Sequence, residues 1–355
     1  MTAPPSPFAY ATHEVRVTFG AGSIATLPAE LERGGFGTVL LLTTSGRPAD
    51  REALAARIRD CCVGTYAGAR LHVPDEVIAE AREVVKRLAP AGLVAYGGGS
   101  AIGLGKALAF DTRLPLAAVP TTYSGSEMTA TWGSSDGKAK RTFRDAHVAP
   151  RLVLYDPELT VDLSPAVSAA SGMNALAHCV EAEYAPEAGP VVSWFASEGI
   201  RCLAAGLPRA VKPPRDAGAR TDALFGAHLA GRSLDMTSMG LHHKLAHILG
   251  GTFGLGHAES HAALLPWVTA FNAPAAPAAM ARIASALGTA DAAQGLLDLS
   301  RRLGIRSLGD LGFRRESVPQ AAALAAGMTF PNPRPVDVPG VRRLLELAIE
   351  GRDLR

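Results

Sequence analysis

Apolar and polar positions change rhythm once along the 355-residue chain. Over the first 155 residues, short β-branched or apolar runs alternate with longer stretches at helical spacing, which predicts βαβ units on a mostly parallel sheet. The runs predict strands at Val15–Phe19, Thr38–Thr44, Val63–Ala67, Leu93–Tyr96, Pro115–Pro120 and Leu152–Asp156. Between them, helices are expected at Ser23–Glu32, Ala49–Asp60, Glu76–Leu88 and Ser100–Phe110, with Ser23 and Asp75 standing where N-caps belong. One interruption, at residues 129–143, reads as two short strands around Asp136-Gly137 and predicts a projecting β-hairpin. After Asp156-Pro157 the strand-like runs vanish. Ala/Leu-rich helical patterns continue to Arg355, punctuated by prolines such as Pro208, Pro266 and Pro277. The expected organisation is an α/β domain over residues 1–156, followed by an all-α domain over residues 157–355.

Composition narrows the function classes. A hydrophobic share of 48% supports a large core, and 35 basic residues against 33 acidic ones leave a formal charge of +2. With no long run of either sign, the chain carries no electrostatic footprint for nucleic acid or acidic membranes. Four cysteines with no C-x-x-C pair argue against a disulfide scaffold or a metal knuckle. There is no leader-like N-terminus and no long uninterrupted apolar stretch, so a cytoplasmic address is expected.

Two loops carry nucleotide chemistry. The strand ending at Tyr96 runs into Gly97-Gly98-Gly99-Ser100 and then into a helix. Glycines permit a close backbone approach there, and a helix N-terminus offers free N–H groups to an anion such as a pyrophosphate. The spacing is not G-x-G-x-x-G, because Ile102 stands where the third glycine would fall. A second loop, Pro120-Thr121-Thr122-Tyr123-Ser124-Gly125-Ser126-Glu127, should lie on the same carboxyl edge of the sheet.

Histidines supply the sharpest signal. Of ten in the chain, five (His242, His243, His247, His257 and His261) fall within residues 242–261. His243 and His247 are four apart on a helical stretch, as are Asn174 and His178 upstream, so two helices can each point a pair of polar groups inward. Three imidazoles without a carboxylate can hold Zn²⁺ or Fe²⁺, or act metal-free as proton and hydrogen-bond donors to a developing oxyanion. The expectation is that these imidazoles converge with no acidic partner among them. Lys138, Lys140, Arg141 and Arg144 on the hairpin, with Lys244 among the histidines, make a cationic site suited to a small carboxylate ligand.

These motifs, with Tyr155-Asp156-Pro157 and the run from Gly240 to His247 followed by His257, resemble the iron-containing alcohol dehydrogenase superfamily over nearly the whole chain. The resemblance implies an N-terminal dinucleotide-binding domain and a C-terminal helical domain with the active site in a cleft between them. Within the superfamily, Asn174 in Ser171-Gly172-Met173-Asn174, His243-Lys244-Leu245, the segment from His257 to Ala262 and Asn332-Pro333-Arg334-Pro335 are similar to the maleylacetate reductases. Metal-dependent members have Asp at the position of Asn174 and hold iron or zinc with residues matching His178, His243 and His257; the Asn implies that no metal is required.

The resemblance further implies reduction of maleylacetate to 3-oxoadipate in aromatic-compound breakdown, with His243, His247, His257, His178 and Lys244 catalytic. Protonated imidazole would stabilise an enolate. Gly97, Gly98, Gly99, Ser100, Thr121, Thr122, Ser126 and Thr44 would bind the cofactor, while Asn174, Tyr123, Lys138, Arg144 and His242 would meet a small dicarboxylate substrate. Thr43-Thr44-Ser45-Gly46-Arg47 lacks the acidic residue that rejects a 2′-phosphate, so both NADH and NADPH are expected. Trp267 and Phe143 depart from the reductase pattern and are expected near the substrate. A homodimer is expected. The alternatives are a metal-dependent alcohol dehydrogenase acting on a small aldehyde or alcohol, and a dehydroquinate synthase-like lyase.

Overall fold

The computed structural model describes residues 7–136, 140–213 and 215–354. Lys138 and the expected hairpin turn at Gly137 lie outside the described residues, as does the side chain of Lys140. The chain divides into two compact units, one of residues 13–162 and the other of residues 163 onward, which the N-terminal segment joins. In that second unit Phe8 approaches Gly189.

The first unit is built on six parallel strands: β1 Arg16–Phe19, β2 Val39–Leu42, β3 Cys62–Tyr66, β4 Gly92–Gly97, β5 Leu116–Pro120 and β8 Leu152–Tyr155. Their spatial order is β1-β8-β5-β4-β2-β3. β6 Thr131–Ser135 and β7 Lys140–Arg144 form the separate antiparallel hairpin. β2, β5 and β8 are buried at every position, as strands covered on both faces must be. The helices are α1 Leu27–Arg33, α2 Pro48–Arg57, α3 Asp75–Leu88 and α4 Gly99–Thr112. α4 lies close enough to the sheet that a Cβ on Gly105 would come within 2.8 Å of Leu116.

Two expected caps are corrected. Gly22 and Pro74 hold the cap positions, and Ser23 and Asp75 are the first residues of their helical segments. Ser23 Oγ instead donates to the Tyr155 carbonyl at 3.0 Å, and the Asp75 carboxylate is drawn to Arg141 on the hairpin. Asp156 is the stronger tie, because its buried carboxylate accepts from the N–H groups of Gly22, Ile24 and Glu158 and so clamps the chain after β1 to the end of β8.

The second unit is helical: α5 Pro165–Tyr184, α6 Pro190–Ala210, α7 Ala217–Met236, α8 Leu241–Phe253, α9 His257–Asn272, α10 Pro277–Leu287, α11 Ala292–Arg302, α12 Val318–Ala326 and α13 Val338–Glu350. α5 is buried along its whole length from Ser168 to Glu183. A helix with no polar face belongs inside, so every polar residue on it must find a partner there. Pro266 is expected to punctuate the helices, yet it lies buried inside α9 without ending it, whereas the half-buried Pro208 stands two residues before α6 ends at Ala210. Trp267 is also corrected: it sits in the apolar core of this unit with Leu245, Val268 and Phe271.

Candidate active site

The first turn of α8 has no capping side chain of its own, since Gly240 is an extended N-cap. Glu181, from α5, fills that role. Its Oε1 accepts the His242 N–H at 2.9 Å and its Oε2 the Gly240 N–H at 3.2 Å. An acidic group at a helix N-terminus meets both the unpaired N–H groups and the positive end of the macrodipole. The same Oε2 makes a short hydrogen bond to His243 Nδ1. His243 Nε2 in turn lies 2.8 Å from Nδ1 of His178, which precedes Glu181 by one turn of α5.

The remaining imidazoles complete a cluster. His261 packs its ring 4.7 Å from that of His243, and His257 lies 4.5 Å from His261, centre to centre. His242 is fully buried, with Nε2 on His261 Nδ1 at 3.0 Å. His247 and His257 stack at 5.9 Å and are half-buried, so the cluster runs from the core to a more open edge. Asn174 Oδ1, His242 Nδ1, Ser260 Oγ and His261 Nε2 are buried without a hydrogen-bond partner among the described residues. Such groups are costly unless a polar ligand or water meets them.

Burial controls the charge of this cluster. It pushes His242 and His243 down to about 3, with the neighbouring Lys244 charge adding to the effect on His243. His261 is held well below its ordinary value by the same burial. Burial raises the Glu181 carboxyl above its ordinary range, against the N–H groups that favour its anion. Burial thus works against the protonated His243 expected from the sequence, while the Glu181 carboxylate beside it works in its favour. Glu181 also corrects the expectation that no acidic group stands among the histidines.

A metal held by His178, His243 and His257 needs one lone pair from each aimed at a common point. Here His178 Nδ1 and His243 Nε2 point at each other, His243 Nδ1 is taken by Glu181, and Asn174 brings only a neutral amide oxygen. Among the described residues no three His, Cys, Asp or Glu side chains are arranged to hold a metal ion. The donor set does not fit one.

The first unit offers a cradle that fits a dinucleotide. Gly97 takes φ 142°, Gly98 is the extended N-cap of α4, and no side chain caps that helix. A Cβ on Gly98 would sit 2.9 Å from Thr122, whereas one on Gly99 would meet nothing within 4 Å. Ser100 follows in the first turn of α4, and Thr121 N–H bonds the Gly97 carbonyl at 3.0 Å, joining the two loops at the carboxyl edge. Thr44 lies past the end of β2 on that edge. Ser126 offers its carbonyl to Lys106.

Not every expected residue gathers at these sites. Tyr123 is fully buried, its hydroxyl 3.5 Å from Thr160 Oγ1. Arg144 bonds Thr131 Oγ1 on the hairpin at 3.3 Å, and Phe143 stacks on Trp132 at 4.7 Å, so this aromatic is used within the hairpin. Lys244 is half-buried on α8 beside His243. The Asn332 side chain joins Leu241 N–H at 3.3 Å to Asn272, clasping the start of α8 to the end of α9. Sequence reasoning missed Glu181 and Lys106. The available signal for Glu181 was its place three residues after His178, on the same helical face.

Comparison with known proteins gives one consistent result. Residues 14–157 match the iron-containing alcohol dehydrogenase family, and residues 168–349 match the C-terminal part of the Fe-containing alcohol dehydrogenase family. The chain is 47% identical to a maleylacetate reductase of Burkholderia cepacia over 95% of its length and 96% of the relative's. It is 45% identical to one of Sphingobium indicum, covering 97% and 98%. The crystal structure of maleylacetate reductase from Agrobacterium tumefaciens superposes with a TM-score of 0.94 at 41% identity, covering 98% of this chain and 99% of that one. The chain belongs to the iron-containing alcohol dehydrogenase family, and these relatives within it are maleylacetate reductases.

Proposed function

We propose that this chain reduces maleylacetate (4-oxohex-2-enedioate) to 3-oxoadipate with NADH or NADPH, in the breakdown of aromatic compounds, and that no metal takes part. The observation that carries the metal-free reading is the 2.8 Å bond between His178 Nδ1 and His243 Nε2, beside Asn174. The likeness to maleylacetate reductases supports the substrate. The absence of an acidic residue after β2, where Thr43-Thr44-Ser45-Gly46-Arg47 stands, supports use of either cofactor.

When bound, a reduced nicotinamide would supply the hydride for the alkene carbon β to the ketone. The enolate left at the former carbonyl oxygen needs hydrogen-bond donors already in place, and imidazoles held on α8 and α9 supply them without reorganisation. His247 and His257 carry that role, while His243 and His178, bonded to each other and to Glu181, relay the proton that then reaches the carbon next to the new C–H bond. Burial disfavours charge on these imidazoles, so Lys244, next to His243 on α8, is assigned to a substrate carboxylate. Asn174 and His242 orient the substrate through polar atoms that have no partner among the described residues.

The test is absorbance at 340 nm with maleylacetate, propanal or no substrate, each with NADH and NADPH. Oxidation of either cofactor by maleylacetate alone supports the reading. Turnover of propanal without maleylacetate would replace it with an alcohol dehydrogenase, and catalysis without net cofactor oxidation with a lyase.

A further inference from the structure

We propose that Glu181 is the positioning residue of the histidine cluster: its carboxylate fixes His243 with the proton on Nδ1 and, through the His243–His178 hydrogen bond, fixes His178 with the proton on Nδ1 as well. Two of the three N–H groups around Glu181, those of Gly240 and His242, are backbone and can only donate. Both belong to the start of α8, where the helix favours a negative group. The third partner, His243 Nδ1, therefore donates to the same anion.

One ring nitrogen of a neutral imidazole carries hydrogen and the other accepts, so the next link follows. With Nδ1 protonated, His243 Nε2 is an acceptor, and the nitrogen 2.8 Å away, His178 Nδ1, must donate to it. His178 Nε2 is then the accepting nitrogen of that ring. Glu181 acts through His243 and His178, in the way that the carboxylate of a catalytic triad orients its imidazole. The consequence for turnover rests on the reductase reading; the tautomers do not.

The experiment uses the whole chain labelled with ¹⁵N-histidine, with long-range ¹H–¹⁵N correlations reading the tautomer of each ring. The wild-type protein should show both His243 and His178 protonated at Nδ1. In Glu181→Gln an amide N–H faces His243 and should switch it to the Nε2–H form, with kcat falling by about 100-fold or more while KM for the cofactor holds. Glu181→Asp, which keeps the carboxylate, should keep both tautomers and recover part of kcat. A wild-type spectrum with His243 protonated at Nε2 overturns the proposal, and so does a Glu181→Gln protein with wild-type tautomers and kcat. Should Glu181→Gln fail to fold, the wild-type spectrum decides. A protein with the expected tautomers that does not reduce maleylacetate contradicts the proposed function and leaves this inference standing.

Discussion

The ammonium group of Lys106, fully buried on α4, donates to the carbonyl of Thr131 at 2.9 Å. It also donates to Thr129 Oγ1 at 2.9 Å and to the Ser126 carbonyl. A buried cation survives only when its hydrogens are satisfied, and these three acceptors come from the segment that follows β5. Glu127 in that segment is buried too, and its Oε1 accepts from Tyr155 at 2.8 Å. Lys106 thus ties the cradle helix to the loop holding Thr121, Thr122 and Ser126.

Lys106→Met should leave these oxygens buried and without their cation. The expected loss of stability is about 2–4 kcal/mol, read by urea denaturation. Cofactor affinity should weaken in a fluorescence titration, because the loop that bears the expected cofactor residues loses its anchor. Unchanged affinity would show that this loop does not touch the cofactor.

The glycine turn gives a sharper pair. Gly98→Ala would bring its Cβ to 2.9 Å from Thr122 and must displace it, so both stability and cofactor binding should fall. Gly99→Ala meets nothing within 4 Å and should fold as well as the wild type. Its effect should be confined to the cofactor Kd, which should rise if the dinucleotide lies against this turn. Thermal denaturation and cofactor titration of both variants separate the two effects.

Acid should destabilise the protein well above the usual carboxylate range. Burial holds His228 at about 4, His242 and His243 at about 3, and His261 well below its ordinary value. In the unfolded chain all four titrate near 6.5, so unfolding takes up protons and stability falls as pH drops from about 6.5 toward 4. Each proton taken up contributes about 1.4 kcal/mol per pH unit. Glu127 and Glu181, whose carboxyls are raised by burial, push the other way, but four imidazoles outnumber them. Urea denaturation at pH 7, 6 and 5 should give steadily lower stability; a flat or rising profile would show that these rings are charged in the folded state.

Much of the α/β unit was legible because its strands are short apolar runs separated by amphipathic helices such as α3. The glycine turn at Gly97–Gly99 was legible because glycine permits that backbone at a strand-to-helix corner. The histidine cluster stood out by number and by four-residue spacing. Glu181 did not, because a glutamate near the end of a helix ordinarily faces water, and only the burial of α5 on every side turns it inward. Trp267 misled in the opposite sense: sequence position suggested the substrate, whereas packing puts its ring in the core among Leu245 and Phe271. Contacts between residues distant in sequence, such as Glu181 with Gly240 or Asn332 with Leu241, have no local signature.

The central claim is that imidazoles aligned by Glu181, with no metal ion, carry the reduction. It is tested most directly by assaying maleylacetate reduction before and after exhaustive chelation, with the metal content of the same samples measured. The account predicts unchanged kcat and KM in metal-free protein. Activity lost on chelation and restored by Fe²⁺ or Zn²⁺ would contradict it.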